Sequence, residues 1–269
     1  MAIFRQIFRF YITSSIHVAL AVVSLCVITM LMHGLYIDYV LLGFVFLSTI
    51  SGYNFVKYAP IAKMHHRSLT QALRTIQVFS VFCAIGLFAI SFFIKLELIW
   101  LSLALGLLNV FYAIPLPQKT LREVPFLKVA IIAFIWAVVT QIYPFIAANH
   151  SLPKSFSFYF EVAEKFFWVI LLMIPFEIRD YRYEKTSLKT LATGLGIKRL
   201  KVLGLILASI LTIIRIWTEQ LDYNPFYLLV FMSFVFSILG SKEKQSKYYA
   251  SFWVESLPIF WMISYVVLV

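Results

Sequence analysis

Nine apolar runs, each near 20 residues long, follow one another along the chain, with the longest polar breaks after the second and sixth. A helix needs about 20 apolar residues to cross a bilayer. The runs fall at 15–37, 39–56, 73–94, 98–116, 125–147, 157–177, 200–217, 225–241 and 250–269. Gly34, Pro117, Pro144, Pro153, Pro225 and Gly240 punctuate their ends. The chain is 62% hydrophobic and 13% charged, where a soluble domain carries about 25% charged residues. The sequence therefore predicts an all-α polytopic membrane protein, nine transmembrane helices in one domain over 1–269. No soluble domain, linker or low-complexity segment interrupts it.

Loop charge sets the expected orientation. The N-terminus, 57–74, 119–128, 179–201 and 242–247 hold 19 of the 23 Lys and Arg. The alternate loops hold only Lys95, Lys154, Lys165 and Arg215, with Asp38, Glu97, Glu161, Glu164, Glu219 and Asp222. Cytoplasmic loops collect Lys and Arg. The N-terminus is thus expected in the cytoplasm and the C-terminus outside, in a bacterial inner (cytoplasmic) membrane. The net charge of +11 has its cause in this bias rather than in nucleic acid, and the basic side would attract anionic lipid headgroups and anionic substrates. Cys26 and Cys83 each lie inside an apolar run and read as buried small hydrophobes. Arg5 and Arg9 precede an apolar stretch with no small-residue cleavage site, which reads as an uncleaved first span. Residues 1–13 form either a helix lying in the membrane interface or the start of that span.

The chemistry-bearing stretch is 177–185, just past the sixth run. At about 100° per residue, Glu177, Asp180 and Glu184 fall within roughly 60° of one another on a helix. Three acids on one stripe suit a hard cation such as Mg²⁺. The alternative is a solvated helix end with ordinary i,i+4 charge pairs.

This stretch opens a longer pattern: Arg179, Asp180, Glu184 and Lys185, then Lys189, Thr190, Leu191, Leu195, Gly196, Lys198 and Arg199. A second match runs from Phe111 and Tyr112 through Pro115 to Lys119, Arg122 and Pro125. Together they resemble the UbiA superfamily of intramembrane prenyltransferases. Those proteins have nine transmembrane helices and two acidic motifs on cytoplasmic loops after the second and sixth. The resemblance implies Mg²⁺ clamped by both motifs, neutralising the diphosphate that leaves a prenyl diphosphate. It implies Asp180 and Glu184 as metal ligands, with Glu177 added by its place on the same helical stripe. Asn54, Lys57, Lys63, Lys119, Arg122, Arg179 and Lys185 become diphosphate-binding candidates, and Tyr58 and Tyr112 line the substrate cavity.

The chain departs from the family at the first motif. Asn54 is present, but Tyr58 and Ala62 stand where the family has acids, and no Asp or Glu occurs from Tyr39 to Leu96. Lys57, Lys63, His65, His66, Arg67 and Arg74 occupy the region instead. They read either as ordinary cytoplasmic-loop residues or as fixed cations that bind a diphosphate directly. Pro60 is expected to bend or end its helix. Inside the runs Asn109, Gln141 and Glu255 stand out, and an intramembrane ionisable group is a functional candidate by default. Glu161 and Lys165, at i,i+4, are expected to pair. Asn149-His150-Ser151 is a glycosylation sequon by pattern alone.

Three functions follow. One is a degenerate UbiA-type protein, catalytically weak or inactive, that binds lipid or isoprenoid as a membrane subunit beside other membrane proteins. The second is an active prenyltransferase with an atypical metal site and an aromatic or lipid acceptor. The third is a transporter or scaffold that merely shares nine spans. It ranks last, because few Gly/Pro pairs fall mid-span.

Overall fold

The computed structural model describes the backbone of residues 2–64, 71–113, 126–150, 152–184, 190–218 and 224–268. Side chains are described for 3–58, 73–113, 126–150, 152–182, 190–218 and 225–268. Among these residues there are helices and no strand. The helices are α1 (Ala2–Thr13), α2 (Ile16–Met32), α3 (Tyr39–Met64), α4 (Gln71–Ser91) and α5 (Leu96–Ala113). After them come α6 (Leu127–Ala147), α7 (Phe156–Glu184), the short α8 (Leu191–Leu195), α9 (Ile197–Thr218), α10 (Asn224–Gly240) and α11 (Tyr249–Leu268). Among the described residues, each expected apolar run contains a helix. Among the described residues, six helices are long and apolar enough to cross a membrane: α3, α4, α5, α6, α9 and α11. α1 and α2 pass that test only as a pair bent by 54°, and α10 is shorter. α7 carries Glu161, Glu164 and Lys165 near its start and Glu177, Arg179 and Asp180 near its end.

Local chemistry explains the boundaries. The Asp38 carboxylate accepts from the amides of Val40 and Leu41, both at 3.0 Å, which caps α3. α2 stops at Gly34, whose φ of 61° suits a glycine; the Leu35 amide then donates back to Met30 O at 2.8 Å. α6 ends the same way at Asn149 (φ 59°), with His150 N donating to Phe145 O. Lys95 donates to Ile146 O and to the Asn149 side chain there. The sequon asparagine is thus a helix-terminating residue. α3 continues through Pro60 to Met64, so the expected helix end at the proline is corrected. Pro60 removes one hydrogen bond from a helix that its neighbours still carry on.

The chain divides into two compact units, residues 1–121 with 142–152, and residues 122–141 with 153–269. In the first unit α3 is central, packing on α2, α4 and α5. Ala19, Ile50 and Cys83 are buried there among Ile16, Phe46, Leu47 and Phe79. In the second unit α7 is central, packing on α9, α10 and the first half of α6. Trp168, Phe234 and Trp261 meet edge to face, with ring centroids 5.1 to 6.4 Å apart. The Trp261 indole N–H donates to Ser233 Oγ at 2.9 Å. Gly204 lets α9 approach closely, since a Cβ there would lie 2.5 Å from Ile174 Cδ1 and 3.2 Å from Ile238 Cδ1. The outward side chains suit lipid: Val81, Phe82, Ile85 and Phe88 of α4 and Trp217 of α9 are all exposed.

Candidate functional site

Asn54 lies one turn before Tyr58 on α3, and both face the corner that joins α1 to α2. That corner turns at Ser15, which takes a left-handed φ of 67°. Three short bonds satisfy the Asn54 amide. Its Oδ1 accepts from Ser15 Oγ at 2.8 Å, and its Nδ2 donates to Ser14 O at 3.1 Å and to Ser80 Oγ at 2.8 Å. Lys57 Nζ donates to Ser15 Oγ at 2.8 Å, and Tyr58 OH donates to Thr13 O at 3.0 Å. Asn54 is buried, Tyr58 half-buried and Lys57 exposed. On the α1 side of the turn, the Tyr11 hydroxyl lies 2.7 Å from His17 Nδ1. The polar end of α3 therefore holds the chain's own bend. Tyr112, in the last turn of α5, is buried. Asn109, a turn earlier, donates to Gly52 O at 3.4 Å, where α3 and α5 approach closely.

The acidic stripe of α7 is differently engaged. Glu177 is fully buried. Its Oε1 lies 2.9 Å from Lys128 Nζ of α6, and its Oε2 accepts from the Leu191 amide at 3.1 Å. It thus anchors the start of α8, where Thr190 and Thr193 cap each other reciprocally. Asp180 takes a two-pronged contact from its neighbour, Arg179 Nε at 2.7 Å and Nη2 at 3.1 Å. The Arg179 guanidinium also lies over the Phe176 ring, 5.1 Å from its centroid.

No protein-family model matches the sequence, and no curated protein matches it. Solved structures do match. An apo UbiA homologue from Aeropyrum pernix K1 aligns with a TM-score of 0.65 at 14% identity, over 94% of this chain and 98% of the other. A UbiA homologue from Archaeoglobus fulgidus bound to GPP and Mg²⁺ aligns at 0.58 and 14% identity, over 96% and 99%. The same organism's UbiA homologue bound to DMAPP and Mg²⁺ aligns at 0.57 and 13%, over 97% and 99%. The chain has the UbiA fold.

Against that fold, the site residues expected from the sequence divide into two sets. Asn54, Lys57, Tyr58, Tyr112, Glu177, Arg179 and Asp180 are placed as above. Lys63, Lys119, Arg122, Glu184 and Lys185 lie outside the residues whose side chains are described. The fit to Mg²⁺ is poor among the described residues: Glu177 is taken by Lys128 and an amide, Asp180 by Arg179, and no three metal-ligating side chains converge.

Sequence reasoning missed two features. The loop-charge pattern counts Lys128 as one more loop cation, yet it pairs with the buried Glu177. Its signal was its position just inside an apolar run. The second is a charge cluster of Glu161, Glu164 and Lys165 near the start of α7 with Arg215 of α9, which the loop-charge pattern counts among the loop charges. That reading is corrected: Glu161, Glu164, Lys165 and Arg215 are all buried within α7 and α9. Glu255 is half-buried in the break between the π-helical start of α11 and its remainder.

Proposed function

We propose that this protein is a degenerate UbiA-type membrane protein. It has nine spans, with the N-terminus cytoplasmic and the C-terminus outside. It binds an isoprenoid or lipid head group, turns over prenyl diphosphates weakly or not at all, and serves as a membrane subunit beside other membrane proteins. One observation carries the reading. The stretch of α3 that resembles the family's first acidic motif offers no carboxylate, and its Asn54, Lys57 and Tyr58 bond instead to residues 13–15. A diphosphate in that place would meet no metal ligand from α3. It would have to compete with a hydroxyl for Lys57.

Two of the structurally similar proteins hold GPP or DMAPP with Mg²⁺, so these are the ligands to try first. The purified protein, reconstituted in lipid, is mixed with each, with and without Mg²⁺. Expected are measurable binding and no prenyl transfer above background. Turnover that disappears in Asp180→Ala overturns the reading in favour of an active transferase with an atypical site. A Lys57→Ala, Lys63→Ala double variant sharpens the result: a large loss of diphosphate affinity assigns the phosphate to that basic segment.

A further inference from the structure

In the second unit, four ionisable side chains meet inside the helix packing. Glu161 is 8% exposed, Glu164 2%, Lys165 3% and Arg215 1%. Arg215, in the last turn of α9, reaches α7, where its Nε and Nη2 both donate to Glu164 Oε2, at 2.9 and 2.7 Å. Its Nη1 lies 3.9 Å from Glu161 Oε1. The guanidinium also faces the rings of Phe160 and Tyr227, 5.2 and 5.4 Å from their centroids. Lys165 Nζ lies over Trp168 at 5.0 Å. A π-helical turn in α6, Val138–Ile142, carries Gln141, which donates to Glu161 Oε2 at 2.7 Å. Two acids and two bases make the group neutral, and it draws on α6, α7, α9 and α10.

The bonding is lopsided at Glu164. Both hydrogen bonds it accepts fall on one oxygen, and among the described residues no donor bonds to Oε1. A carboxylate has about four acceptor positions, and a buried one left half-satisfied is costly. Beside it lies a cavity of about 10 Å³, lined by Glu164, Trp168, Ala208, Leu211, Thr212, Tyr227, Val230 and Phe234. That is the room one water needs, and a buried water needs at least two polar partners. Thr212 supplies a second. Its hydroxyl proton is committed to Ala208 O at 2.9 Å, which leaves the oxygen to accept. Tyr227 brings a further hydroxyl to the wall.

We propose that this cavity is a water site. One ordered water donates to Glu164 Oε1 and to Thr212 Oγ1, and completes the solvation of a charge-neutral lock among four helices. The site does not depend on the ligand reading above, because it uses none of the same side chains. A high-resolution map of the purified protein tests it. Expected is a peak within hydrogen-bonding distance of Glu164 and Thr212, kept in Thr212→Ser and lost in Thr212→Val. The Val variant also tests the sign. It is isosteric and more apolar, so a dry cavity would tolerate or prefer it, whereas a wet one loses a partner and Tm falls by about 2–4 °C. A wild-type map with ordered neighbours and no peak overturns the proposal. So does a Thr212→Val protein whose Tm is unchanged or raised.

Discussion

α3 and α7 are each the central helix of their unit, and each ends in a polar stretch, yet they use polarity in opposite ways. The α3 end is neutral or basic and makes hydrogen bonds to backbone and hydroxyl groups of residues 13–15. α7 carries formal charges at both ends, and both are compensated by cations: Arg215 at the start, Lys128 and Arg179 towards the finish. About 20 Å of apolar helix separates Glu164 from Glu177 at 1.5 Å per residue. The difference teaches that carboxylates are not free ligands merely because they share a stripe. Each acid of α7 whose side chain is described already has a partner, and in α3 the partner is the chain's own corner.

Arg215→Met gives the largest effect. It strands Glu164 among apolar side chains, and breaking a buried pair from one side costs about 3–5 kcal/mol. The exposed Lys57→Met on α3 should cost less than about 1 kcal/mol. Unfolding titrations of both variants in the same detergent measure the contrast, and equal losses would break it.

Asn54→Leu comes next. It leaves the Ser14 carbonyl without the bond it accepted and removes the partner of two hydroxyls. A loss of about 1–3 kcal/mol is expected. Amide exchange should quicken around residues 10–16 and stay unchanged in α7. Quickening throughout the protein would mean that Asn54 holds more than the corner.

Asp180→Asn is the smallest. The Asp180 and Arg179 side chains keep 27% and 34% of their exposure, and a solvent-screened pair is worth about 1 kcal/mol at most. Its Tm should match wild type within about 2 °C. A larger fall would show that Asp180 has a structural task like that of Glu177.

Much of the helical architecture was legible because apolar length is a property of consecutive residues. The start of α3 at Tyr39 and the end of α6 at Ala147 could be read from apolar length alone, whereas Pro144, expected to mark an end, lies within α6. The acidic stripe was legible too, since 100° per residue fixes which side chains share a face. Partners were not. Arg215 and Glu164 stand 51 residues apart; their apolar neighbours place each inside a run but do not say which distant charge it meets.

The sequence by itself determined that this is a bundle of apolar helices with acids on the sixth run and none on the second. Those facts follow from composition along a line. Tertiary structure alone decided what the polar groups bond to: that Asn54 and Tyr58 clasp residues 13–15, that Glu177 belongs to Lys128, and that Arg215 is buried. Burial and pairing depend on which distant helices pack together, and packing depends on shape in three dimensions, which residue order does not display.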